Sequence, residues 1–178
     1  MPNGMDIQGA VAQAFDATNG ALRVSAVNDA ISIGVPNMQT AATIVTTNDV
    51  TRIQFPDAAT TSAWATLTIP STWTQCNIGL IYSGSTAGTN PIRWRVAVKK
   101  LDIFLDLITE AFASDVFINQ ATQATANQVA AVNVVSNFDV TPFALGDAYS
   151  VLVQRIGADA ADTYTGIGEL IGINLQRS

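Results

Sequence analysis

Histidine is absent from the 178 residues, cysteine occurs once, and Asp, Glu, Lys and Arg together make up only 12% of the chain. Without histidine there is no Ser-His-Asp or Cys-His catalysis, no histidine-ligated zinc and no ordinary side-chain switch near neutral pH. A lone cysteine, Cys76, excludes an internal disulfide. Its neighbours Thr74, Gln75 and Asn77 bring no cation to lower its pKa, so a packed thiol is expected. Positive charge is scarce as well, 8 basic against 14 acidic residues for a net charge of −6, which repels polyphosphates and excludes nucleic acid as an expected partner. No apolar run approaches the roughly 20 residues of a bilayer-spanning helix. The opening Met1-Pro-Asn-Gly-Met-Asp6 has no cationic segment leading into an apolar one, so neither a leader nor a membrane partner is expected.

What the chain has instead is apolar and small-residue content. Hydrophobic residues reach 48%, enough for a core at this length and too much for disorder. Short segments rich in Thr, Val and Ile (43–47, 51–55 and 65–69) are separated by Asn48-Asp49, Pro56-Asp57 and Pro70-Ser71, which is strand and turn chemistry. Segments 76–83 and 92–98 flank a Gly/Ser/Thr loop closed by Pro91 and predict a hairpin. In the second of these, Trp94, Val96 and Val98 share one face and Arg93, Arg95 and Ala97 the other.

Residues 101–112 fit both a helical stripe and a strand, with strand favoured; 120–128 reads as a surface loop and 129–138 as a strand. A strand over 148–155, a polar loop to Asp162 and a final strand over 164–175 complete the chain. Roughly eight short strands without a long periodic helix predict an all-β fold, a jelly-roll β-sandwich. Residues 1–36 read as an extended or partly helical N-terminal arm or lead-in strand, and residues 37–178 as the jelly-roll domain. Within the arm, Ile7, Val11 and Phe15 fall four apart, and Asn19-Gly20 separates them from the alternating Leu22 and Val24.

Three pieces in order carry a family likeness: Asp16-Ala-Thr-Asn-Gly-Ala-Leu-Arg-Val-Ser25; the run from Trp73 to Trp94; and Leu145-Gly-Asp-Ala-Tyr-Ser-Val-Leu-Val-Gln-Arg155 followed by Asp159, Asp162-Thr-Tyr164 and Leu170-Ile-Gly172. By these pieces, and mainly over residues 60–176, the chain resembles bacteriophage virion proteins built on a jelly roll, of the head decoration or cement type. The resemblance implies a non-enzymatic structural protein at the capsid surface, assembled in the host cytoplasm. It also implies a homotrimer and contact with the major capsid protein. Ile7, Val11, Phe15, Leu22 and Val24 are then candidates for the oligomer or capsid interface, because an arm outside the domain has no core of its own. The alternative is a tail or fibre protein binding host-surface glycans.

No catalytic, cofactor or metal residues are expected. The structural motif is Trp73, Trp94, Arg155, Asp162 and Tyr164, in which Arg155 and Asp162 are expected to pair across their loop and hold adjacent strands in register. Calcium at Asp159 and Asp162 is the competing reading, short of the six to eight oxygens that ion takes. Asp102, Asp106 and Glu110 read as a solvated acidic edge against acid–base carboxylates. Arg93, Arg95, Lys99 and Lys100 read as a wet face over core Trp94 against a single-strand groove. Gly166, Gly168 and Gly172 read as a bulge or close approach against a dinucleotide loop. Trp64, Trp73 and Tyr82 read as core or rim packing against a sugar platform.

Overall fold

The computed structural model describes residues 30–70, 73–101, 112–140 and 148–178. Its strands, in chain order, are β1 (Ala30–Gly34), β2 (Gln39–Thr40), β3 (Thr43–Thr47), β4 (Val50–Phe55), β5 (Thr60–Leu67) and β6 (Gln75–Gly84). They continue with β7 (Pro91–Leu101), β8 (Ser114–Ala121), β9 (Ala130–Asp139), β10 (Ala148–Ile156) and β11 (Gly168–Arg177). A single 3-10 turn, Val35–Asn37, is the one helical element among the described residues.

Two antiparallel sheets face each other. The six-stranded sheet runs β3-β4-β11-β6-β9, with β1 also on β11, and the five-stranded sheet runs β2-β5-β10-β7-β8. Alternation dictates the core: Ile78, Leu80 and Tyr82 of β6 and Ile173 and Leu175 of β11 point inward against Trp94, Val96 and Val98 of β7 and Val151 and Val153 of β10. Each such side chain contributes about 1.5–3 kcal/mol by leaving water. Phe55 and Tyr82 meet Trp94 edge-on, at 5.4 and 6.1 Å between ring centroids.

The sandwich matches the expected fold class, but four details differ. First, 76–83 and 92–98 are not a hairpin: β6 and β7 belong to different sheets, so the loop after Gly84 crosses between layers. Local turn residues are the same for a hairpin and a crossover, and only the burial of both inward faces against each other distinguishes them. Second, β5 begins at Thr60, earlier than 65, because its inward residues Ala63 and Ala65 are buried yet too small to advertise an apolar face. Third, β8 was hidden, and it runs into the supposed 120–128 loop. Its outward Phe117 and inward Ser114 blur the alternation. Fourth, the last strand starts at Gly168, leaving Tyr164 buried in the preceding loop.

Within the segment read as an arm or lead-in strand, β1 pairs with β11 and Ile33 enters the core. The interface candidates Ile7, Val11, Phe15, Leu22 and Val24 lie outside the described residues, as do Asp102, Asp106 and Glu110. The expected Asn48-Asp49 turn is present, with φ of +49° and +63° at the two residues, the left-handed pair that suits a tight hairpin between β3 and β4.

Candidate functional site

Arg155 stands on the inward face of β10 with no exposed surface. Its Nε and Nη2 donate to the two Asp162 oxygens at 2.9 and 2.8 Å. Nη1 donates to the carbonyls of Phe55 and Gly166 at 3.1 and 2.7 Å, and Nη2 also reaches the Tyr164 carbonyl and Asp57. Arg155 and Phe55 belong to opposite sheets, so the guanidinium joins the two layers rather than only holding neighbouring strands in register. Asp162 Oδ2 further accepts from the Arg93 backbone N–H at 3.1 Å. The Tyr164 hydroxyl accepts from the Thr86 N–H and donates to the Thr86 carbonyl, pinning the crossover loop.

Of the structural motif, Trp94, Arg155, Asp162 and Tyr164 therefore gather at one end of the sandwich, while Trp73 is buried at the other, just before β6. Calcium finds little room here. Both Asp162 oxygens are engaged by Arg155, Asp159 accepts from the Ala161 N–H, and no group of three metal-binding side chains occurs among the described residues. The partners Phe55 and Asp57 had no signal in the sequence, since they lie about a hundred residues away from Arg155.

Two exterior faces remain to carry recognition. On the five-stranded sheet, Trp64 of β5, Leu152 and Gln154 of β10, Arg93 and Arg95 of β7 and Phe117 of β8 point outward. Trp64 is 36%, Phe112 40% and Phe117 46% exposed, a large apolar surface to leave in water. Arg95 forks onto Asp115 at 2.7 and 2.8 Å, which raises the arginine's pKa and lowers the carboxyl's. The same guanidinium lies 5.1 Å from the Phe112 ring centre and 5.6 Å from that of Phe117, with Arg93 at 5.3 Å over Phe117. Trp94 faces the core below, so the basic residues and the tryptophan separate as their alternation required.

On the six-stranded sheet the outward side chains are mostly neutral. A hollow of about 270 Å³ is lined by Asn77, Gly79, Ile81, Asn133, Asn174 and Gln176. A second, of about 290 Å³, is lined by Asn48, Val50, Arg52, Ser83, Asn127 and Ile171 among others. Beside it the buried Glu169 accepts hydrogen bonds from Arg52 at 2.9 Å, Gln54 at 3.3 Å and Ser83 at 2.8 Å. This face escaped the sequence reading, although Asn77, Gly79, Ile81 and Ser83 are the alternate, non-core positions of a strand that was recognised. Of the three residues considered as a sugar platform, Trp73 and Tyr82 are core and only Trp64 reaches the surface.

No protein-family model and no curated protein matches the sequence. Solved structures do. A family 35 carbohydrate-binding module from an environmental isolate superposes with a TM-score of 0.51 at 13% identity, covering 83% of this chain and 97% of that one. The fold is a jelly roll. An exo-β-1,3-galactanase from Phanerochaete chrysosporium, solved with galactose, gives 0.53 at 10% identity over 90% of this chain. The mosquito-larvicidal Cry4Aa toxin from Bacillus thuringiensis gives 0.55 at 10% identity over 84%. The chain spans only 31% and 23% of those two longer proteins.

Proposed function

We propose that this chain is a non-enzymatic phage structural protein that acts by adhesion: a capsid decoration or cement protein, seated as a homotrimer on the outer shell of the major capsid protein and stabilising the head. The observation carrying this reading is the exterior of the five-stranded sheet, where Trp64, Phe112 and Phe117 stay exposed and Arg93 and Arg95 lie over the two phenylalanine rings. Aromatic and guanidinium groups at the centre of a patch, with polar groups around them, are the composition of a protein–protein interface. The ordered likeness of residues 60–176 to virion proteins supports the phage setting, and the internal use of Arg155 and Asp162 supports a structural role for the most polar buried cluster.

Gold-labelled antibody on intact particles of the encoding phage tests it. Label over the heads is expected. Label confined to the tail tip would replace decoration with host recognition, and no label, with an antibody that binds the native protein, would overturn the virion assignment.

A second reading, a tail or fibre protein that binds host glycans, is favoured by the neutral amide-lined exterior of the six-stranded sheet. A carbohydrate-binding module of the same fold lends it support.

A further inference from the structure

The geometry points to a binding trough for a neutral oligosaccharide along the outward face of β6, between β11 and β9, with Asn77, Asn133 and Asn174 at one end and Arg52, Ser83 and Asn127 at the other. The inference rests on the glycan reading and names its site. The two hollows follow each other along outward β6 positions, Asn77, Gly79 and Ile81 in the first and Ser83 in the second. At about 3.4 Å per residue that distance is roughly 20 Å, the scale of an oligomer and not of a single ring.

The floor of the first hollow is low at Gly79 of β6, which pairs with Asn174 of β11 and carries no side chain. A Cβ at Gly79 would come within 2.9 Å of the Val132 carbonyl oxygen, so the position has to stay bare. Bare backbone is thus held where a ligand chain could lie close.

The walls suit hydroxyl groups. Each amide is fixed at one end by the protein: the Asn174 carbonyl accepts from Ser32 at 3.3 Å, Asn133 donates to Ser136 at 3.1 Å, and the Asn77 carbonyl accepts from the Asn137 N–H at 3.0 Å. A side chain already oriented loses less entropy when it binds, and an amide offers a donor and an acceptor to a vicinal diol. Ile81, Ile171 and Val129 add aliphatic surface for the C–H faces of sugar rings. The charged residues neutralise each other, Arg52 against Glu169 at 2.9 Å, which selects against a polyanion.

Isothermal titration of the full chain with cellohexaose, xylohexaose and laminarihexaose, and with a heparin hexasaccharide as the anionic comparison, tests the trough. At least one neutral hexaose should bind while heparin does not, and the double variant N133A/N174A should bind that hexaose about tenfold more weakly with an unchanged urea midpoint. Both substitutions are at outward positions, so the fold is expected to survive them. If a hexaose binds the double variant as tightly as the parent and Trp64→Ala abolishes it, the sugar lies on the opposite face: the trough is wrong and the glycan reading stands. Tighter binding of heparin would overturn the neutral ligand class. If no neutral hexaose binds, the trough falls together with the glycan reading, and capsid decoration is left untouched.

Discussion

Arg155 and Asp162 meet through two parallel hydrogen bonds of 2.9 and 2.8 Å with both side chains wholly shielded from solvent. A pair of this kind contributes little net stability over an apolar substitute, because both ions were taken out of water, but removing one partner strands the other. Asp162→Ala is therefore expected to lower the unfolding free energy by about 3–5 kcal/mol, a large part of the total for a domain of this size. Urea unfolding followed by tryptophan fluorescence measures it. A loss below about 1 kcal/mol would show that Asp57 and the Phe55, Tyr164 and Gly166 carbonyls satisfy the guanidinium without Asp162.

Gly172 sits where the register of β11 against β6 shifts, and a Cβ there would lie 2.8 Å from the Ile33 carbonyl oxygen. Gly172→Ala should push β1 away from β11 at a cost of about 1–3 kcal/mol. Faster amide hydrogen exchange over 30–34, with the β6–β11 pairing still protected, is the expected pattern. Uniformly faster exchange would mean that β1 is no separate unit.

The ion pair of Arg95 and Asp115 gives stability a pH dependence of known sign. The Arg95 hydrogen bond holds the Asp115 carboxyl below its ordinary value, so its contribution is present above the unfolded carboxylate range and is lost as pH falls through the lowered pKa. Arginine stays charged throughout. With Asp115 more than a third exposed the effect is expected to stay under about 1 kcal/mol and to shrink in high salt. Stability curves of the parent and Asp115→Asn, compared between neutral pH and pH 2, should differ at neutral pH and converge at the acid end.

Burial pushes the Cys76 thiol up to about 11. With little thiolate at pH 8, the native protein should react with a disulfide reagent far more slowly than the urea-unfolded chain, and release of chromophore on unfolding measures the difference. Equal rates would place Cys76 at the surface.

Several parts of this molecule were legible residue by residue. The split between Trp94 and its flanking arginines follows from the two-residue period of a strand, and the Asn48-Asp49 turn from the tolerance of those residues for positive φ. The Arg155–Asp162 pair was legible because seven residues separate them around one loop. Nothing local announced that the same arginine also reaches Phe55 and Asp57, or that β8 would form from Ser114 to Ala121. The outward asparagines of the six-stranded sheet carried no signal because a polar residue at a non-core strand position is the ordinary case.

By itself the sequence determined what is chemically absent, the strand period, most turn positions and hence an all-β sandwich: these depend on side-chain type and on neighbours a few residues apart. Tertiary structure alone decided which strand joins which sheet, that β6 and β7 part company across Gly84, and that Gly79 and three asparagines from β6, β9 and β11 line one hollow. Those outcomes depend on pairing between segments far apart in the chain, chosen by how well whole inward faces fill a shared core, and no local pattern encodes that fit.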